Sequence, residues 1–180
     1  TMNYGYACIN ETLGSGPKKT RVTTNRSMIK RTFKEKGIAY ASELALQNIK
    51  DLIKILAWNE DNDIKFYRMS SDIFPWASEY NYWELPHYKE IKYWLRCAGD
   101  AATKMGHRLT FHPGPFNCLA SPNFEVVEKT YKELNNHSRI FDMMGFEPSH
   151  YNKINIHVGG TYGDKETTAK RFIENFHRPG

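Results

Sequence analysis

Two histidines and one aspartate have the residue types and settings for metal chemistry. His112 closes the run HRLTFH and leads into PGPF, and His157 sits at the same place in KINIHV before GGTYG. Asp72 follows IKFYRMS in the turn SSDIFP. Each of the three lies where a strand-like run ends. Adjacent parallel strands lie about 4.8 Å apart, so donors at matching strand ends can converge on one cation. Imidazole with carboxylate suits zinc, manganese or iron better than calcium. The other five histidines lack this setting. His107 begins a strand, His137 lies in mid-helix, and His87, His150 and His177 fall in loop or terminal stretches, so structural or solvated roles are expected. There is no GxSxG, HExxH or P-loop pattern, which leaves serine-nucleophile and Walker-type chemistry without residues.

The elements that would position these residues follow from periodicity. Met2 to Ile9, Ile64 to Ser70, His107 to His112 and Lys153 to Val158 read as strands. Ala45, Ile49, Leu52, Ile53 and Leu56 mark one face of a first helix that Ser42 is placed to cap. Ile91, Trp94, Leu95, Ala98, Ala102 and Met105 mark a second helix, ended by Gly106. Ser121 and Pro122 read as cap and first position of a third. Its stripe is Val127, Thr130, Leu134, His137, Phe141 and Met144, closed by Gly145. Asp164 starts a fourth whose core face is Ala169, Phe172, Ile173 and Phe176.

Four strand–helix units in alternation predict an α/β fold with a parallel sheet. They form either a partial TIM-type (β/α) barrel or a small open sheet, since a complete barrel needs about 250 residues. Period two puts Arg108, Thr110 and His112 on one face of the third strand, with Leu109 and Phe111 on the other. In the fourth it separates Lys153, Asn155 and His157 from Ile154, Ile156 and Val158. The apolar faces should meet the helices. The polar faces then line the interior at the carboxyl end, where sites in such folds lie.

With 180 residues, 40% hydrophobic and 25% charged, the chain reads as one globular domain rather than a disordered tail, collagen-like chain or disulfide scaffold. No apolar run approaches the ~20 residues of a membrane span, and no secretory signal opens the sequence. Cys8, Cys97 and Cys118 are odd in number and without CxxC spacing, so an intracellular setting is expected. The net charge of +5 mildly favours a polyanionic partner. Lys18, Lys19, Arg21 and Arg26 concentrate positive charge in the loop 14–26, either as a solvated surface or as a phosphate contact. Trp76, Tyr80, Tyr82 and Trp83 follow Asp72 as a packed lid or a base-stacking surface. Gly159, Gly160 and Gly163 offer either a tight turn or phosphate approach.

These segments together resemble the UV-damage endonuclease family. The resemblance runs through GYACINETL, TTNRS, ELALQNIKDLIKIL, WNEDNDIKFYRMSSDIFPWAS, HRLTFHPGPFNCLASPNFEVVEKT and INIHVGGTYGDKETTAKRFIENF, nearly the whole chain in order. It implies a TIM barrel with a cluster of divalent metals, commonly manganese, with zinc or magnesium as alternatives. It also implies cutting of double-stranded DNA on the 5′ side of UV photoproducts, without a nucleotide cofactor or a membrane. His112 and His157 match family metal ligands, and Asp72 falls where some members place a histidine ligand. Tyr6 and Asn10 match residues that face metal site and lesion. Pro115 and Phe116 stand where some members carry the Gln and Tyr that the resemblance implies probe the duplex. Phe keeps an aromatic wedge without the hydroxyl. No catalytic residue is assigned. The family continues into further ligand-bearing strands, so residues 1–180 are expected to form the N-terminal half to two-thirds of one domain. Such a piece is expected to self-associate, and to act in the cytoplasm or nucleoid, or in a eukaryotic nucleus. The rival readings are a sugar-isomerase-like metal barrel and an inactive truncated fragment.

Overall fold

In the computed structural model, which describes residues 4–112, 114, 118–147 and 164–177, three short strands pair in parallel in the order β1-β2-β3. β1 is Gly5–Ala7, β2 is Phe66–Ser70 and β3 is Arg108–His112. Tyr6 pairs with Tyr67 and Tyr67 with Leu109, while Met69 pairs with Phe111. Parallel partners share a face, and this one is the apolar layer. Tyr67, Met69, Leu109 and Phe111 are all buried there. β1 is shorter than the expected Met2 to Ile9 because Cys8 turns to a positive φ of 61° and ends the strand. The expected fourth strand, Lys153 to Val158, lies outside the described residues.

The helices are α1 (Glu11–Gly14), α2 (Lys30–Asp61), α3 (Tyr88–Met105), α4 (Phe124–Met144) and α5 (Lys165–Phe176). The core lies between the apolar layer of the sheet and the helices. Ile49, Leu52 and Leu56 of α2, Ile91, Leu95 and Ala98 of α3, and Ile140, Phe141 and Met144 of α4 fill it. α3 packs against both α2 and α4. As their spacing predicts, Gly106 and Gly145 close α3 and α4 in the left-handed conformation.

Three local expectations are corrected. Ser42 does not cap the first helix, which begins at Lys30 and bends at Gly37, where φ is 66°. Ser42 is instead buried in mid-helix, its hydroxyl accepting the His87 N–H at 2.9 Å and meeting His87 Nδ1 at 2.8 Å. A tertiary bond has taken over a residue whose local preference is for a cap. Ser121 and Pro122 likewise lie before α4. Ser121 Oγ accepts from Asn123 N, and Asn123 is the cap, accepting from Glu125 N at 2.9 Å. Asp164 does cap α5, but the expected core face does not pack. Ala169, Ile173 and Phe176 are exposed, Phe172 is half-buried and Thr168 is the buried residue. α5 is held through polar groups, with Arg171 Nε donating to Ala120 O at 3.1 Å and Asn175 Nδ2 to Leu119 O at 2.7 Å. His137, expected to be structural or solvated, is structural: it is a buried core residue stacked on Phe111, centroids 4.0 Å apart, with no hydrogen-bond partner among the described residues.

Gly99 sets how closely α3 approaches the end of α4. A Cβ at that position would press into the Met144 carbonyl oxygen, which is backbone and cannot swing away. Gly99→Ala is therefore expected to lower stability by about 2 kcal/mol through overpacking. Urea denaturation followed by circular dichroism checks it. An unchanged midpoint would show that the helices can slide apart without penalty.

Candidate functional site

The face of the sheet opposite the apolar layer is polar. Ala7 pairs with Arg68, Arg68 with Thr110, and Ser70 with His112, so Arg68, Thr110 and His112 share one surface with Arg108 and Ser70. Thr110 is buried, while Arg108, Arg68 and His112 are half-buried. This is the polar lining expected from period two in β3. Arg68 Nε and Thr110 Oγ1 are both buried without a hydrogen-bond partner among the described residues. Such groups are rare in a finished core and call for an explanation.

At the carboxyl end the pairing of Ser70 with His112 brings two of the sequence-derived metal candidates into one neighbourhood. Asp72 follows Ser70 by two residues, and its N–H donates to Ser70 Oγ at 3.0 Å, which turns the chain back over the strand end. Asp72 is exposed and His112 half-buried. His157, Pro115, Phe116, Gly159, Gly160 and Gly163 lie outside the described residues. Among the described residues no three His, Cys, Asp or Glu side chains gather closely enough to hold a metal ion. Asp72 and His112 thus supply one carboxylate and one imidazole, a donor set that fits part of a divalent site and leaves it open.

Beside this strand end lies a cleft of about 270 Å³. Its lining includes Ser71, Asp72, Trp76, Lys132, Glu133 and His137. Glu133 Oε1 accepts the Gly114 N–H at 3.2 Å. Burial pushes the Glu133 carboxyl above the usual range, bonds from the Gly114 N–H and the Ser71 hydroxyl pull it back, and the nearby Asp72 charge raises it further. Burial lowers the His137 imidazole to about 4. Its Nε2 lies 3.7 Å from Glu133 Oε1, beyond hydrogen-bond reach. Sequence reasoning missed Glu133 and read His137 as structural or solvated. The available signal was a threonine and a histidine, Thr130 and His137, inside the otherwise apolar stripe of α4, with Glu133 at a spacing that shares their face.

The remaining candidates separate. Tyr6 OH donates to Asn59 Oδ1 at 2.6 Å and accepts from Asn10 Nδ2 at 2.9 Å, while Asn10 Oδ1 caps α1 through Leu13 N. These bonds fasten β1 to α2, and burial raises the Tyr6 phenol above its ordinary value. In the basic loop, Lys18, Lys19 and Arg21 are exposed. Arg26 is tied down instead, donating to Asp51 Oδ2 at 2.6 Å and to the carbonyls of Thr23 and Arg21. The aromatic run after Asp72 is mainly a packed lid. Tyr80 and Tyr82 are buried, Trp76 stacks on Phe33, and only Trp83 is largely exposed. No helix among the described residues is long and apolar enough to cross a membrane.

Comparison with known proteins sets this geometry in context. The family model described as UV-endonuclease UvdE matches residues 2–179. A UV-damage endonuclease of Schizosaccharomyces pombe is 37% identical over 177 residues, covering 97% of this chain and 29% of that protein. A UV DNA damage endonuclease of Clostridium perfringens is 33% identical over 179 residues, covering 98% of this chain and 40% of that one. The crystal structure of SacUVDE superposes with a TM-score of 0.82 at 30% identity, covering 98% of this chain and 56% of that chain. The chain therefore spans about half or less of the length of these proteins.

The buried imidazole gives a pH dependence. His137 has a folded pKa of about 4 against an ordinary 6.5, so between these values the unfolded chain binds the extra proton. The stability it confers is complete above pH ~6.5 and is lost as pH falls toward ~4, amounting to about 3 kcal/mol. His137→Phe keeps the stack on Phe111 and removes the proton site. Urea midpoints measured at pH 7 and pH 4.5 should lie closer together in the variant. An equal separation in both proteins would place the acid sensitivity elsewhere.

Proposed function

This chain belongs to the UV-endonuclease UvdE family, and on that premise we propose that it forms the N-terminal part of a metal-dependent endonuclease acting on UV-damaged double-stranded DNA. In this reading the backbone is nicked on the 5′ side of the photoproduct, inside the cell. The observation that carries the reading is the pairing of Ser70 with His112, which sets the turn bearing Asp72 beside the His112 end of β3. Asp72 and His112 would hold a divalent ion, manganese by preference, with His157 as a further donor from the family pattern. Such an ion supplies an activated water and charge stabilisation at a phosphate.

The protein's own groups account for the rest. The half-buried Arg68 and Arg108 line the same face and favour an anionic substrate above it. Exposed Lys18, Lys19 and Arg21 would meet the phosphate backbone away from the reacting centre. Such contacts position the duplex without reading its sequence. Pro115 and Phe116 remain the candidates for probing the damaged step, where weakened stacking lowers the cost of opening the duplex.

Two measurements test this. Manganese titration followed by electron paramagnetic resonance should show at least about tenfold weaker binding in His112→Ala, as expected when one of few ligands is removed. Equal binding would take His112 out of the site. For DNA, fluorescence anisotropy across a salt series should show a slope reduced by about 0.9 for each phosphate that is no longer neutralised. The triple change Lys18→Gln, Lys19→Gln and Arg21→Gln is expected to flatten the slope by two to three such steps. An unaltered slope would make the loop a plain solvated surface.

A further inference from the structure

One face of α4 is turned toward the loops after β2 and β3. Thr130 Oγ1 accepts from Cys118 N at 2.8 Å, and Lys132 Nζ donates to Ser78 O at 2.9 Å. Close to these two anchors on α4 stands Glu133. One of its carboxylate oxygens receives the Gly114 N–H at 3.2 Å, and Ser71 lines the same cleft as Glu133. Ser71 immediately precedes Asp72, and Gly114 follows His112 by two residues. Glu133 therefore stands between the segments that follow the two candidate metal donors' strands, bonded to Gly114 on one side and beside Ser71 on the other.

The arrangement is unfavourable as a means of stability alone. Glu133 is half-buried, and the Asp72 charge faces it. A partly desolvated carboxylate opposite another one opposes its own ionisation. A helix that needed only to pack here would do better with an apolar residue. What the carboxylate supplies is geometry, since hydrogen bonds to a charged acceptor are short and directional. Groups that orient ligands from behind commonly matter 10–100-fold for metal affinity (about one to two decades).

We propose that Glu133 is a positioning residue, a clasp between the turn after β2 and the turn after β3 that fixes the spacing of Asp72 and His112. It touches neither substrate nor metal. The inference rests on the metal reading given above and deepens it.

The test uses the 180-residue chain with Glu133→Ala, Glu133→Gln and Lys132→Met. Two quantities are read: exchange of the Gly114 amide by NMR in metal-free protein, and manganese affinity by electron paramagnetic resonance. Glu133→Ala should speed Gly114 exchange and weaken manganese, each by about tenfold. Glu133→Gln retains an acceptor oxygen and should restore both to within about threefold of the wild type. Lys132→Met removes a neighbouring anchor of the same helix and should change neither. Ser71→Ala carries the same expectation at smaller size, and decides the matter if Glu133→Ala does not fold.

Unchanged Gly114 exchange in Glu133→Ala overturns the clasp. Faster exchange with wild-type manganese affinity overturns its positioning role. A glutamine variant as impaired as the alanine one, or a Lys132→Met variant that mimics it, overturns the argument from directed bonds. A wild type that holds no manganese overturns the metal reading instead, and the clasp is then judged by the exchange of Gly114 alone.

Discussion

The register of β2 on β3 is the constraint on which the rest of the molecule depends. Ser70 opposite His112 implies Met69 opposite Phe111 and Arg68 opposite Thr110. A slip of one residue would exchange the faces, burying Arg68 among the helices and turning Phe111 toward the polar side. Yet the strands are only three to five residues long and offer few ladder bonds. Their register has to be held from outside the sheet. At the amino end, Glu60 Oε2 receives both Lys65 Nζ at 2.5 Å and His107 Nε2 at 2.7 Å, just before β2 and β3 begin. Lys65 first, then His107, hold the Glu60 carboxyl below its ordinary range. Arg108 N donates to Lys65 O at 2.7 Å in the same place. At the carboxyl end the segment after β3 is gathered by α4 through Thr130 and Glu133.

Much of this is legible in the sequence, and what is not has one cause. Alternating runs and helical stripes locate β2, β3 and the bodies of α2, α3 and α4, because burial imposes their period directly on the chain. Asp164, Gly106 and Gly145 are readable as helix ends because capping is local. Ser42 and Ser121 mislead for the same reason, since each looks like a cap and instead bonds elsewhere. Ser42 finds His87, which is 45 positions away and invisible to a local rule. The α5 stripe is a true helical period whose apolar side faces outward among the described residues.

The candidate site divides along the same line. Asp72 and His112 can be found because each closes a strand-like run, so secondary structure alone predicts their common end of the sheet. Arg26 looks like its neighbours Lys18, Lys19 and Arg21, and only the fold reveals that Asp51 has claimed it. The family resemblance supplies roles for Tyr6 and Asn10. The hydrogen bonds of those two residues to each other and to Asn59 emerge only from the packing of β1 on α2.

The amino end of the sheet and its polar face differ in how they treat charge. The amino end pairs its charges, with Glu60 satisfied by a lysine and a histidine. Among the described residues, the buried polar atoms without a hydrogen-bond partner include the Arg68 Nε and the Thr110 hydroxyl on the polar face, both ring nitrogens of His137 in the core, and the Asn59 Nδ2 beside Glu60. Each such group costs about 1–3 kcal/mol when it is buried without a partner. A chain selected for stability alone would have filled those positions with aliphatic residues, as barrel interiors ordinarily are. Arg68 and Thr110 share the polar face of the sheet with His112, the face on which the site is proposed. The polar lining of that face explains why anchoring is placed on α4. A polar, incompletely satisfied strand end cannot hold its own loops by hydrophobic packing, so directed bonds from a neighbouring helix must hold them in its place.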